Sequence, residues 1–149
     1  MRLTATEAFA FPAGTTRTAD LQRDERGLLR ATTRRTRSAV IVSVAGEVDA
    51  SNERVWAQLL SETAATTPAP GPFVIDLRDL DFIGCCALAV LARESERCRR
   101  RGIRLCVVCH QPIVPRAIAA AGLGRVLRIY QTIEATLSPV VRRSDDFAP

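Results

Sequence analysis

Lysine is missing altogether: the 21 basic residues of this 149-residue chain are all arginine, and they leave a formal net charge of +5. Its absence rules out a Walker-type phosphate loop, which needs a lysine to reach the phosphates, and neither GxGxxG nor GxSxG occurs. Histidine occurs once, at His110, so multi-histidine metal sites and a second histidine acid or base are excluded. Long apolar runs are missing as well. The opening Met1-Arg2-Leu3 leads into threonine, glutamate and isolated phenylalanines. Neither the run of about 7–15 apolar residues of a signal peptide nor a transmembrane span is readable there, and the expected location is the cytoplasm. The five cysteines are an odd number in a chain without a secretory signal, which favours free, reduced thiols over structural bridges. No catalysis and no cofactor are expected.

What is present suits one compact domain. Apolar residues make up 47% of the chain, and a domain of this length buries about 68–70% of the surface of its unfolded chain. Arginine clusters at Arg34-Arg35 with Arg37, at Arg99-Arg100-Arg101 and at Arg142-Arg143, at the edges of apolar segments rather than gathered with aromatics. Such clusters read as solvated surface, and no direct nucleic-acid contact is expected from them. The acids Asp79 and Asp81 lie beside Arg78, where a solvated turn is the expectation, since an acid/base pair needs a shielded cleft.

Residues 1–27 carry no sustained period and end on the turn pair Arg26-Gly27, so they read as a mobile tail. Short β-favouring runs at 29–33 and 39–45 predict two strands of a hairpin, the second with Val40, Val42 and Val44 on one face. Asp49-Ala50-Ser51-Asn52 supplies helix-capping chemistry ahead of a stripe of Val55, Trp56, Leu59 and Leu60. A third strand is predicted at 73–77. A second helix follows Gly84, with Leu88, Leu91, Ser95 and Cys98 on its stripe. Strands at 103–109 and 126–130 flank a helix at 111–121, in which Pro115 fits only in the first turn. A last helix is predicted at 132–141, and the acidic end of the chain reads as frayed. The alternation predicts an α/β fold: a mixed sheet of about five strands, the later ones parallel, with helices packed against it. The loops at 81–86 and 109–111 then fall at one edge of the sheet.

Four segments in order carry a family resemblance: Gly46-Glu47-Val48-Asp49, Val74-Ile75-Asp76-Leu77, Leu80-Asp81-Phe82-Ile83 and Ala121-Gly122-Leu123. Together they resemble the STAS domain, of the anti-sigma factor antagonist type, over residues 28–138, with tails at 1–27 and 139–149. The resemblance implies a domain that binds an anti-sigma factor of the kinase-like ATPase fold and so frees a sigma factor, without inserting into a membrane. It also implies a switch, a phosphorylated serine in an Asp-Ser-Ser-Gly segment that aligns with Gly84-Cys85-Cys86-Ala87. Cys85 stands where the phosphoacceptor would be, Gly84 replaces the aspartate and Ala87 the glycine. A serine kinase has no hydroxyl to modify there. Glu47 and Asp49 agree with the family pattern near the partner surface, which with Ser51, Gly84, Cys85, Cys86 and Ala87 makes the expected docking edge. Asp49 also suits a helix cap, and one residue can do both.

Cys106-Val107-Val108-Cys109-His110 matches the CxxCH string of covalent haem attachment. Residues three apart in a strand point to opposite faces, which argues against haem, a zinc knuckle and a redox pair alike. A thiol at a helix N-terminus is expected to have a lowered pKa, so Cys85 or Cys86 is a candidate redox thiol, with Cys109 as a crosslinking partner. The other reading has these cysteines filling small core positions. Two further functions stand beside the antagonist: a STAS accessory subunit of a transporter, and a redox- or ligand-sensing interaction module.

Overall fold

The computed structural model describes residues 20–23 and 27–137. Six strands form one sheet in which spatial order follows chain order: β1 (Asp20–Arg23), β2 (Leu29–Arg35), β3 (Val40–Val48), β4 (Phe73–Ile83), β5 (Leu105–Val108) and β6 (Arg128–Tyr130). The first three pair antiparallel, and β3 through β6 run parallel. Crossovers between the parallel strands are made by α1 (Glu53–Ala65), α2 (Cys85–Arg100) and α3 (Ile113–Ala120), and α4 (Ile133–Leu137) follows β6.

The stripes read from the sequence are the stripes that pack. Trp56, Leu59 and Leu60 of α1, Leu88, Leu91 and Cys98 of α2, and Val114 and Ile118 of α3 share one core with Leu29, Val40, Val42, Phe73, Ile75 and Val107 of the sheet. The opposite face carries a smaller cluster, Ile41, Val74, Val108 and Ile133, so α4 lies across the sheet from the other three helices. Strands covered on both sides read as near-continuous apolar runs, which is why 73–77 and 105–108 show little alternation. Pro115 is the third residue of α3, where a missing backbone N–H leaves no hydrogen bond unmade.

Three expectations are corrected. Residues 20–23, assigned to the tail, form β1 and pair with 30–33 of β2; the rest of that tail up to 26, and the tail at 139–149, lie outside the described residues. Strands β3 and β4 run on to Val48 and Ile83 instead of stopping near 45 and 77, so residues 79–83, read as turn and loop, are strand. The extension is possible because the register between β3 and β4 shifts twice, between Ser43 and Ala45 and between Gly46 and Glu47. Each shift resets the in/out alternation on which a sequence reading depends. Asp79 and Asp81 are consequently exposed on a strand and not in a turn.

Candidate functional site

The C-terminal ends of the parallel strands form one edge of the sheet, and at β3 and β4 that edge is closed by a backbone bond. The N–H of Gly84 donates to the carbonyl of Val48 at 2.9 Å, which joins the segment entering α2 to the segment leaving β3. This contact brings the two halves of the predicted docking surface together. Glu47 and Asp49 with Ser51 come from one side, and Gly84, Cys85, Cys86 and Ala87 from the other.

Asp49 caps a single 3-10 turn (Ala50–Asn52) ahead of α1. Its Oδ1 accepts from the backbone N–H of Ser51 at 2.8 Å and from the Ser51 hydroxyl at 2.7 Å. Asn52 Oδ1 accepts from the Asp49 N–H at 2.9 Å in return, and Asn52 Nδ2 donates to the Glu47 carbonyl at 2.9 Å. Reciprocal capping of this kind satisfies backbone donors at a helix start and holds the turn in one geometry. Asp49 is therefore a structural cap and is also half exposed on the edge, while Glu47 and Ser51 are exposed. A second anchor is Trp56, fully buried, whose indole N–H donates to the Ala87 carbonyl at 3.0 Å and fixes the first turn of α2 against α1. Gln111 ties in the neighbouring loop: its Nε2 donates to the carbonyls of Leu77 and Leu80 at 2.9 and 2.8 Å. The 109–111 loop thus meets the upper part of β4, at the edge foreseen from the topology.

The cysteines divide by environment. Cys85 is exposed and Cys86 half-buried, whereas Cys98, Cys106 and Cys109 are buried, and all five are free thiols. The lowered pKa expected at the start of α2 is not found at Cys86. Burial, then the Glu53 carboxylate that its thiol faces from the start of α1, pushes it up. Glu53 belongs to another helix, so this part of the shift comes from a tertiary neighbour. Burial, and after it the Asp76 carboxylate, also pushes the Cys109 thiol up, and its side chain lies in the main core, whereas Cys85 is exposed. Cys98 is pushed up to about 11, mainly by burial. Cys106 lies across the sheet from Cys109, with its sulfur 3.7 Å from Arg104 Nη1, as strand geometry requires for a CxxC string in this position. Among the described residues no group of three or more His, Cys, Asp or Glu is placed to hold a metal ion. Under native conditions a maleimide should modify Cys85 well before Cys98, Cys106 and Cys109, which should react only on unfolding; peptide mapping reads the order, and early labelling of Cys109 would contradict the core placement.

Phe82 was missed by the sequence reading. It is 52% exposed at the end of β4, next to Gly84. The signal was the adjacent pair Phe82-Ile83, because two neighbouring strand residues cannot both face one core. Ile83 is the buried one.

The edge is open and is held in place by caps and backbone bonds, with three helices on one face of the sheet and α4 on the other. The chain belongs to the STAS domain family, whose pattern matches residues 30–136. It is 50% identical over 110 residues to the anti-sigma-F factor antagonist RsfA of Mycobacterium tuberculosis, covering 74% of this chain and 86% of that one. It is 51% identical over 114 residues to Rv2638 of the same species, named provisionally as an anti-anti-sigma factor, covering 76% and 77% of the two chains. The crystal structure of an anti-sigma factor antagonist from Mycobacterium paratuberculosis superposes with a TM-score of 0.66 at 26% identity, over 78% of this chain and 96% of that one. These names describe antagonists of other proteins and not enzymes. No described helix is long and apolar enough to cross a membrane.

Proposed function

We propose that this protein is a cytoplasmic anti-sigma factor antagonist. It docks on an anti-sigma factor of the kinase-like ATPase fold through the edge built from Glu47, Asp49, Ser51 and residues 84–87. The observation that carries the reading is the pairing of Gly84 with Val48, which brings both predicted docking segments together in a chain 50% identical over 110 residues to a named antagonist. Docking is not switched by serine phosphorylation in this protein, because 81–87 contains no hydroxyl side chain and Cys85 occupies the exposed first position of α2.

Calorimetry against the anti-sigma factors of the source organism tests the docking. Asp49→Arg should weaken it by about 100-fold, since a misplaced like charge at an interface costs several kcal/mol. Asp49→Asn, which keeps a cap acceptor, separates loss of charge from loss of the turn. Binding to none of these proteins would end the proposal. Incubation with a partner kinase and labelled ATP should leave the wild type unlabelled. The Gly84→Asp/Cys85→Ser variant should gain label, and a Cβ at Gly84 meets only ordinary contacts at 3.7 Å and beyond. Label on wild-type residues 81–87 would refute the alignment.

A further inference from the structure

We infer that Phe82 is the apolar anchor of the docking edge and that the partner presents an apolar socket rimmed by cationic side chains; the inference rests on the docking function proposed above. Phe82 stands where an anchor must stand. Its ring lies against Gly84, with Cε2 3.7 Å from the position a Cβ there would take, and that same position is 3.8 Å from Cα of Asp49. The ring therefore occupies the seam between the two docking segments. Its backbone is held against β3, with Phe82 paired opposite Glu47 and Ile83 opposite Val48. An exposed phenyl ring on a rigid strand has little side-chain freedom to lose on burial, and aromatic groups at the centre of an interface carry a large share of its affinity.

The rim is acidic on a chain whose net charge is +5. Glu47, opposite Phe82 in β3, and Asp81, its neighbour in the chain, are both exposed, and neither forms an ion pair with any described residue. Arg78, the nearest cation in sequence to Asp81, is held by Asp76 through bonds of 2.8 Å from Nε and from Nη2. A negative collar around an aromatic group disfavours nucleic-acid phosphates and anionic lipid, and it favours a protein surface of opposite sign. Ile113, 58% exposed at the start of α3, lies two residues beyond Gln111, whose side chain is fixed to the β4 carbonyls. It is a second exposed apolar side chain at the end of the sheet where the parallel strands finish.

Binding of the full-length protein to its anti-sigma factor, followed by stopped-flow association and by calorimetry, tests the inference. Phe82→Ala should weaken affinity by about 30-fold or more through faster dissociation, with the melting temperature unchanged because the ring is exposed. Glu47→Gln/Asp81→Asn should slow association several-fold and flatten its salt dependence while dissociation stays the same. If the wild type binds and neither variant differs from it, the inference falls and the docking reading stands. If the wild type binds no anti-sigma factor, both fall. Phe82-dependent binding to phosphatidylserine vesicles or to DNA would also overturn it.

Discussion

Replacing Trp56 by alanine should remove about 3–5 kcal/mol of stability, the usual range for emptying a fully buried indole site. Against a total of about 5–15 kcal/mol for a domain, that is the difference between a folded protein and a marginal one. Two separate losses contribute. The ring is completely buried at the junction of α1 with the sheet and α2, so its removal leaves a cavity bounded by side chains from different elements. The indole N–H also donates to the Ala87 carbonyl at 3.0 Å, so the start of α2 loses its tether to α1. Trp56→Phe keeps most of the volume and drops the hydrogen bond, and should cost about 1–2 kcal/mol. Urea denaturation followed by circular dichroism measures both, since the only tryptophan is lost. Near-equal values for the two variants would mean that the bond, and not the packing, is what Trp56 supplies.

Gly46→Ala should be of similar severity, on the order of 3 kcal/mol, for a reason that lies in the backbone. Gly46 has φ of +97°, and a Cβ built on it would lie 1.9 Å from the carbonyl oxygen of Leu28. That oxygen cannot move away freely, because it accepts the N–H of Glu47 at 2.9 Å across the irregular end of the β2–β3 pair. Gly122 provides the comparison: its φ is +76° and nothing lies within 4 Å of a Cβ there. Gly122→Ala should therefore show only the left-handed penalty, about 1–2 kcal/mol. The difference between the two alanine variants in thermal or urea unfolding isolates the clash. Equal effects would show that β2 yields at Leu28.

The helices of this domain are legible because their stripes are. Leu88, Leu91, Ser95 and Cys98 recur at helical spacing and are buried as a set, and Trp56, Leu59 and Leu60 likewise. Strand β1 is a different case. Asp-Leu-Gln-Arg has no pattern of its own and exists as a strand through its ladder with β2, a partner that local sequence does not announce. The ends of β3 and β4 escaped for the geometric reason that two register shifts break the period-2 rule. In the site, the motif residues Glu47, Asp49 and Gly84 were readable one by one, yet the bond between Gly84 and Val48 that unites them is a tertiary fact. The environment of Cys86 is tertiary in the same way, since burial and the Glu53 carboxylate of α1, which push its thiol up, are not written in the sequence around it.

Strand order that repeats chain order also has a consequence for synthesis. No strand of this sheet has to insert between two that came before it. Each parallel crossover adds its strand to an edge that already exists, so a nascent chain can grow the sheet from one side as it leaves the ribosome. The backbone segments around Asp49 and Gly84 are complete once α2 has emerged, ahead of β5 and β6. A nascent chain therefore exposes its first four strands, able to pair, before the last two have left the ribosome. The segments proposed to dock, around Asp49 and Gly84, thus lie in the part of the domain that is made first.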